Sequence, residues 1–472
     1  IGKAYRNLAD CYVETDKPDS ANYYFKKAIN RFKQSKSRGR YDLALTYLYY
    51  GNFLLELQKH DALEYLNMGK DILVKIFGEF QRYVARANSF IDKYYLKNKD
   101  YEKALAYAQE AITSCINDFD NTNPEANPKT EKFGNKSHLI TPVKKKKKIY
   151  FQRGKENNST EDLEKSLKAF EIAIEIINRI RINYTYESNK LMITERSQEE
   201  FNWILKVLRE LHKNSEDNRY LSRIFEYMEK SKAAVLLSSI TDSKAKITAN
   251  LPDSIIEKEK WLRTRINGFK NLVYQERQKK VNNRNEKKID DWESIIFESQ
   301  QEYDSLKNYI KNQYNQYYKL RMKPSVMKLE EVVSRMDEDE VILEYSILED
   351  QVMIMTVKKE KQAFHVVELS ENNLNKLINT FINNLRVKAF ANFDRKSYHQ
   401  FTQADYDLYK SLFEPVQEQT KGKDLVIIPD GKMGYIPFEL FLTKSKDQFE
   451  SNNMNYKKLP YLLKKRTISY AY

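Results

Sequence analysis

Residues 100–111 read Asp-Tyr-Glu-Lys-Ala-Leu-Ala-Tyr-Ala-Gln-Glu-Ala, with small side chains at Ala104, Ala108 and Ala111. Residues separated by three, four or seven positions lie on one face of an α-helix. Alanines on such a face let a neighbouring helix approach closely, because they place little side-chain volume between the two backbones. Asp100 stands where its carboxylate can accept hydrogen bonds from the free N–H groups of the first turn. The stretch therefore predicts a helix that packs tightly against a partner helix.

The small–large–small pattern of this helix recurs along the first half of the chain. It returns at an interval of about 40 residues, which is typical of arrays built from helix pairs. The matching positions are Ala21, Phe25, Ala28, Ala62, Leu66 and Gly69. A fourth unit, which contains Ser166, Phe170 and Ala173, follows an insertion. We therefore predict a mainly α-helical solenoid over residues 1–240, interrupted by a polar insertion at residues 117–148.

The insertion ends in five consecutive lysines, Lys144–Lys148. Such a run could contact nucleic acid or an acidic partner, or it could be the solvated start of a helix. Lysine runs of this length are common in solvated segments, so we favour the solvated helix start.

Residues 241–323 predict a charged helical hairpin that serves as a linker. Within residues 254–321 the pattern is helical and contains no proline and one glycine, with a break expected around residues 282–285. The expected narrow apolar seam of this hairpin consists of Trp261, Ile266, Leu272 and Val273.

The period of the sequence changes in residues 324–472, which predict an incomplete α/β domain. Three strands of an antiparallel meander are expected at Val341–Tyr345, Gln351–Lys358 and Ala363–Leu369. Residues 424–431 read Asp-Leu-Val-Ile-Ile-Pro-Asp-Gly. An apolar run bounded by turn residues is typical of a buried central strand. A further strand is expected at Arg466–Tyr472.

The composition excludes several classes of protein. The 472 residues include only 11 glycines and 10 prolines, too few turn formers for a collagen-like or all-β chain, and the hydrophobic share of 41% suffices for buried cores. No apolar run approaches the ~20 residues of a membrane-spanning helix. Two cysteines, which we interpret as structural thiols, indicate a reducing, cytoplasmic compartment and leave no zinc-ligand pattern. We predict neither a metal site nor a cofactor.

The helical pattern resembles the tetratricopeptide repeat (TPR), although the unit is longer than the usual ~34 residues. Residues 425–442, Leu-Val-Ile-Ile-Pro-Asp-Gly-Lys-Met-Gly-Tyr-Ile-Pro-Phe-Glu-Leu-Phe-Leu, resemble the entry motif of CHAT domains, which are caspase-like domains fused to such repeats. Glu-Lys-Ser-Lys-Ala at residues 229–233 and Glu-Val-Ile-Leu-Glu-Tyr-Ser at residues 340–346 match a helix and the first strand of the same family. The resemblance covers nearly the whole chain. It makes structural motif residues of Pro429, Asp430, Gly431, Pro437, Phe438 and Glu439.

The TPR–CHAT resemblance implies a bacterial caspase-like cysteine protease. Its chemistry needs a Cys thiolate paired with a His. In the family both catalytic residues follow the strand that resembles residues 467–472, and no residue here matches either position. We therefore assign no catalytic residue in this chain and leave its enzymatic status open. The chain begins without methionine and ends in an apolar run, so we expect both ends to be cut.

The candidate binding site is the face of the helical array formed by the first helix of each pair. Stacked helix pairs present such a face to a protein or peptide partner. The side chains expected there are Arg6, Asp10, Asn52, Arg86 and Lys93. Partner binding would then regulate the CHAT domain through a conformational change.

Two alternative functions remain open. One is a non-enzymatic TPR scaffold with a pseudo-protease domain. The other is a nucleic-acid-associated protein, suggested by the net charge of +14. Basic charge gives affinity for phosphate without specificity. We do not favour this last alternative, because 67 acidic residues are interspersed and no nucleic-acid motif is present.

Overall fold

The structure is a computed structural model of the chain. It describes all residues except 36–38, 80–81, 117–118, 129–139, 184–186, 240–251, 278, 280–283, 315–325, 388–394, 446–455 and 472. The described part contains fifteen α-helices and, near the C-terminal end, a five-stranded mixed sheet. The prediction of a mainly helical fold is thus confirmed.

The first eight helices form four consecutive pairs. Their bounds are α1 Gly2–Glu14, α2 Pro18–Lys33, α3 Arg40–Glu56, α4 Ala62–Phe77, α5 Arg82–Lys97, α6 Tyr101–Thr113, α7 Ile140–Glu156 and α8 Thr160–Asn183. Within each pair the two helices pack along their length, and the second helix also contacts the first helix of the next pair for α2–α3, α4–α5 and α6–α7.

The remaining elements follow in chain order. The helices are α9 Glu187–Ser215, α10 Arg219–Ser239, α11 Asp253–Arg277, α12 Glu286–Gln313, α13 Leu329–Arg335, α14 Glu371–Val387 and α15 Arg395–Leu412. The strands are β1 Glu340–Ile347, β2 Val352–Val357, β3 Gln362–Val367, β4 Asp424–Ile428 and β5 Ile468–Tyr470. Among the described residues no helix has the length and apolarity needed to cross a membrane.

The chain divides into two compact units. The first consists of Ile1–Ser215 and Leu237–Lys323, and the second consists of Glu216–Leu236 and Pro324–Tyr472. This division differs from the three expected segments in two respects. Most of α10 belongs with the sheet and not with the preceding helices, and the segment expected as a linker belongs to the same unit as those helices.

The small residues of the recurring pattern lie at the points of closest helix packing. Ala21, Ala62 and Ala104 are fully buried, as are the Ser166 and Ala173 positions of the fourth pair. Gly69 shows how close the approach is. A Cβ atom at this position would lie 2.7 Å from Leu48 Cδ2 and 2.9 Å from the Ala44 carbonyl oxygen.

The helix-capping prediction is confirmed at Asp100. The Asp100 carboxylate accepts a hydrogen bond from the Lys103 backbone N–H at 3.2 Å, which caps α6. Asp61 precedes α4 in the same place but caps no backbone N–H group with its side chain.

The helices α11 and α12 pack against each other as the expected hairpin. Its apolar seam is partly different from the prediction. Ile266 and Val273 are buried, but Trp261 and Leu272 are exposed. The buried line continues through Leu262, four residues before Ile266, so Trp261 falls about 100° away from the seam on the helix surface.

The second unit is built around the sheet, whose strand order is β3-β2-β1-β4-β5. The meander β1-β2-β3 is antiparallel, whereas β1–β4 and β4–β5 are parallel pairs. All five predicted strands are therefore present, and β4 lies inside the sheet as expected. One face of β1 carries Val341, Leu343 and Tyr345 into a core shared with α14 and α15.

Gly69 and Gly268 provide a matched test of the close helix packing. We expect Gly69→Ala to lower stability by about 1–3 kcal/mol, because the added methyl group overlaps Leu48 and the Ala44 carbonyl. Gly268 is at an exposed position of α11, where no atom lies within 4 Å of an added Cβ. Gly268→Ala should therefore stabilise the chain by about 0.5–1 kcal/mol. Chemical denaturation followed by circular dichroism measures both changes. An equal effect at the two glycines would contradict close packing at Gly69.

Candidate partner-binding surface

The first helices of consecutive pairs lie side by side. The helices α1 and α3, α3 and α5, and α5 and α7 are in direct contact. All five side chains expected in the binding groove project from three of these helices. Arg6 and Asp10 lie on α1, Asn52 lies on α3, and Arg86 and Lys93 lie on α5.

Tyr49 of α3 joins the two arginines of the predicted set. The Arg6 guanidinium carbon lies 5.9 Å from the centre of the Tyr49 ring and that of Arg86 lies 5.0 Å from it. Arg86 also donates a hydrogen bond to the Tyr49 hydroxyl, and Arg6 lies 3.6 Å from Asp42. A guanidinium over an aromatic face is held by cation–π attraction. Helices α1 and α5 are thereby linked through one ring on α3.

The other end of the same face is joined by lysines. Lys93 donates to Asn52 Oδ1 at 3.0 Å and forms an ion pair with Glu56. Lys97, one helical turn further along α5, pairs with the same Glu56 carboxylate. The predicted residues Asn52 and Lys93 therefore contact each other directly.

Asp10 is the acidic member of the predicted set. Burial raises the pKa of Asp10, Arg6 and Arg86 oppose the rise, and Glu14 adds to it. The carboxylate thus lies within the electrostatic reach of both arginines. The structure thus places the five predicted residues on adjacent helices, in one contact group around Tyr49 and another around Glu56, with Arg86 exposed.

Sequence reasoning missed three residues of this surface, all on α3: Asp42, Tyr49 and Glu56. Their separation by seven residues carries the missed signal, since it places all three on one face of the helix. We shall call the face formed by α1, α3 and α5 around Tyr49 the first-helix surface.

The prediction for the lysine run is wrong. Lys144–Lys148 lie in the middle of α7, and Lys146 and Lys147 are 1% and 0% exposed. Helix α7 begins at Ile140, so the last nine residues of the expected insertion belong to a helix of the fourth pair. Of the remaining insertion, residues 119–128 are described, while 117–118 and 129–139 lie outside the described residues.

Successive lysines of α7 point to different neighbours, because each residue turns the helix by about 100°. Lys144 and Lys147 face α9, where both pair with the buried carboxylate of Glu200. Lys145 faces α5 and lies 3.0 Å from Asp92 Oδ1. The run therefore connects α7 to helices on two sides and is largely neutralised within the unit.

Lys147 is the most deeply buried of these lysines. Its ammonium lies 4.1 Å from the centre of the Phe170 ring in addition to its contact with Glu200. Burial lowers the pKa of Lys147 strongly, and Lys144 adds to the decrease. A buried ion pair costs desolvation energy on both sides, so its value lies in fixing which helices pack together.

Lys146 holds the base of the insertion. Its ammonium donates to Gln109 Oε1 at 3.0 Å, to the Ala126 carbonyl at 2.8 Å and to Asn127 Oδ1 at 3.0 Å. Gln109 in turn donates to the Asn121 carbonyl at 2.7 Å. All three acceptors of Lys146 are neutral, and burial lowers the pKa of Lys146 to about 7.

The motif residues near the C-terminal end join β4 to its neighbours. Asp430 Oδ2 accepts a hydrogen bond from the Ile347 N–H at the end of β1, at 2.7 Å. The Phe438 N–H donates to the Tyr470 hydroxyl at 2.8 Å, and that hydroxyl donates to Glu439 Oε2 at 2.5 Å. Pro429 is buried, Pro437 is half-buried, and Gly431 has a positive φ of 50°, which favours glycine in the turn after Asp430.

Thiols and metal ligands add no second site in the described part of the chain. Cys11 is exposed on α1, and Cys115 is buried just beyond the end of α6. No group of three or more His, Cys, Asp or Glu side chains among the described residues could hold a metal ion.

Glu200 and its neighbour Glu199 test the structural role of the lysine run. We expect Glu200→Gln to destabilise the first unit by about 3–5 kcal/mol, because it leaves the buried Lys147 without its carboxylate. Glu199→Gln changes charge equally, but its side chain is 49% exposed and should cost at most about 1 kcal/mol. Thermal unfolding measures both variants. Equal losses of stability in the two variants would contradict a special structural role for the buried pair of Lys147 and Glu200.

The pH dependence of stability should reveal the buried Asp92. Burial raises the pKa of Asp92 to about 7 from 3.8, and Lys145 opposes the rise. The folded state therefore holds a proton that the unfolded state has released, so this contribution to stability is lost as pH rises from about 4 to 7. As the pH rises through that window, the free energy of unfolding of Asp92→Asn should increase relative to that of wild type by up to about 1.4 kcal/mol per pH unit. Denaturant titrations at pH 4.5, 5.5 and 6.5 measure this difference, and a constant difference would contradict a protonated Asp92.

Comparison with known proteins neither supports nor contradicts the TPR–CHAT resemblance. Neither a protein-family model nor a curated protein matches the chain significantly. The TPR–CHAT resemblance therefore depends on the motifs at residues 229–233, 340–346 and 425–442 and on the recurring helix pattern, and it stays a prediction.

Proposed function

We propose that the helix pairs form a TPR-type solenoid whose first-helix surface binds a segment of a partner protein, and that this binding regulates a caspase-like CHAT domain to which the second unit belongs. The observation that carries the binding proposal is the convergence of the predicted side chains. These side chains come from sequence positions up to 87 residues apart. Arg6 and Arg86 nevertheless meet at Tyr49, within electrostatic reach of Asp10. Lys93 contacts both Asn52 and Glu56.

The first-helix surface suits a polypeptide in extended form. Arginine and lysine donate to backbone carbonyls or carboxylates, while Asp10 and Asn52 offer acceptors for backbone N–H groups. Arg6 and Lys93 already have acidic partners in Asp42 and Glu56, and Arg86 contacts Tyr49, so the surface offers many hydrogen-bonding groups with little excess charge. Such a balance favours recognition of a specific shape over attraction of any acidic molecule.

The role of the second unit follows from the CHAT resemblance. In that family a Cys–His pair cleaves peptide bonds, and no residue of this chain is assigned to that pair. Asp430, Phe438 and Glu439 fix the turns that follow β4 through their hydrogen bonds to Ile347 and Tyr470. The scaffold alternative shares the first-helix surface and differs only in lacking peptide hydrolysis.

The nucleic-acid alternative loses its most specific support. It relied on the positive charge of the chain and on the lysine run. Lys144, Lys145 and Lys147 are paired with Glu200 or Asp92 inside the first unit. They are therefore not a surface patch for phosphate groups.

Selection of peptides from a random 15-residue display library tests the proposed surface. Peptides enriched on the wild-type chain are synthesised, and their Kd values are measured against Arg86→Ala/Lys93→Ala and against the control Lys26→Ala/Lys75→Ala, whose lysines are exposed on α2 and α4. We expect the first variant to bind at least about tenfold more weakly, since a loss of 1.4 kcal/mol has this effect. The control should bind as wild type does.

Two measurements make the peptide test decisive. Circular dichroism and thermal unfolding of both double variants should match wild type, since both surfaces lie outside the buried core. Unchanged affinity in Arg86→Ala/Lys93→Ala, or an equal loss in the control, would refute the first-helix surface as the binding site.

A further inference from the structure

The second unit is assembled from two separate segments of chain. Glu216–Leu236, which forms most of α10, belongs to it, but the next segment, Leu237–Lys323, belongs to the first unit. The chain returns to the second unit only at Pro324. Helix α10 is therefore joined at both ends to the first unit while it packs within the second.

Lys232 connects α10 to the sheet. Its ammonium lies 2.5 Å from Glu344 Oε1 and 3.7 Å from Glu229 Oε1. Glu344 is in the middle of β1 and is fully buried. Side chains alternate along a strand, so Glu344 points away from the apolar core that Leu343 and Tyr345 enter. Lys232 thus supplies a positive charge to a carboxylate on the opposite face of the sheet.

Burial favours the protonated form of Glu344. It raises the pKa of Glu344 to about 8, Glu229 adds to the rise and Lys232 opposes it. Among the described residues, Lys232 is the cation that pairs with Glu344. The position of α10 and the state of Glu344 therefore depend on each other.

Asp430 extends the connection to the turn after β4. Strands β1 and β4 are parallel, with Glu344 opposite Ile428, so Asp430 follows at the carboxyl end of the neighbouring strand. Burial raises the pKa of Asp430, whereas the Ile347 N–H and the charge of Lys232 lower it. Asp430 also begins the tight turn Gly431–Tyr435, where the Met433 N–H donates to the Asp430 carbonyl at 3.0 Å.

The turn Gly431–Tyr435 lies where sites commonly form in sheets with parallel strands. In open α/β sheets ligands bind beyond the carboxyl ends of the strands. The turn carries the exposed Lys432 and Tyr435, the latter 75% exposed. Whatever shifts Asp430 also shifts this turn.

We propose that Lys232, Glu344 and Asp430 form a latch that couples the docking of α10 on the sheet to the conformation of the turn Gly431–Tyr435. With Lys232 in place, α10 is docked and Asp430 holds the turn. When α10 leaves, Lys232 leaves with it, and the turn is released. The latch deepens the proposed regulation of the second unit and depends on that proposal for its purpose, since the chain runs from α10 into segments of the first unit in both directions.

Hydrogen–deuterium exchange of the complete chain tests the latch. Lys232→Met should raise exchange at least about tenfold both in α10 and in residues 429–435, while β1 and β2 stay protected. Lys232→Arg keeps the charge and should restore most of the protection in both segments. The control is Lys230→Met, which removes the same charge from the same helix. It breaks a half-exposed pair with Glu226 at 2.5 Å and a contact with the Tyr227 ring at 4.7 Å, both within α10. It should leave both segments as in wild type.

A reciprocal variant distinguishes coupling from local damage. Coupling between two sites acts equally in both directions. Asp430→Ala should therefore raise exchange in α10, although Asp430 belongs to a different element, whereas Lys432→Ala in the same turn should not. Faster exchange in α10 alone after Lys232→Met would overturn the latch. So would loss of protection throughout β1 and β2, or an effect of Lys230→Met equal to that of Lys232→Met. No peptide takes part in this experiment, so its failure leaves the test of the first-helix surface unaffected.

Discussion

Close helix packing at small side chains is the constraint on which the first unit depends. At Gly69 the backbones of α3 and α4 approach until a single methyl group would overlap Leu48. Buried alanines occupy the equivalent place in the other pairs. Because each second helix fits this closely against its partner and contacts the next pair, the first helices come to lie beside one another. The first-helix surface is a consequence of that packing, since its ion pairs Arg6–Asp42 and Lys93–Glu56 each join two different helices.

Buried charge adds a second level of specification to the same unit. Five consecutive lysines on one helix cannot all reach solvent when the helix has neighbours on several sides. In α7 the helical turn distributes them among Glu200, Asp92 and Gln109, and each of these lies on a different helix. Such contacts contribute little net stability, because removing the charges from water costs about as much as the pairing returns. They do exclude other arrangements of α5, α7 and α9, since a shifted helix would leave a buried ammonium without a carboxylate.

The second unit depends on the alternation of side chains along β1. Leu343 and Tyr345 enter an apolar core with α14 and α15, while Glu344 points to the other face and takes its cation from α10. One strand thus holds one set of helices by apolar packing and another helix by charge. Apolar contacts tolerate small displacements, whereas the loss of a counter-ion from a buried carboxylate is abrupt. This difference makes the α10 contact suited to switching in the regulation that we propose.

The sequence by itself determined the helix pairs, the hairpin, the five strands and the mainly helical class. These features follow from the spacing of small and apolar residues over a few turns or one strand, and such spacing is local. It also placed Arg6, Asn52, Arg86 and Lys93 on one surface, because a regular period fixes which face each helix turns to its neighbour. Only the tertiary structure decided the partners of the charged residues. The sequence predicts solvated lysines in α7 and a buried Trp261, and both predictions are wrong. Burial depends on which distant segment of the chain packs nearby, and local sequence does not contain that information. Glu344 and Lys232 are 112 residues apart in the chain. No local pattern records such a pairing, since it exists only after two segments separated by a whole hairpin have packed on one sheet.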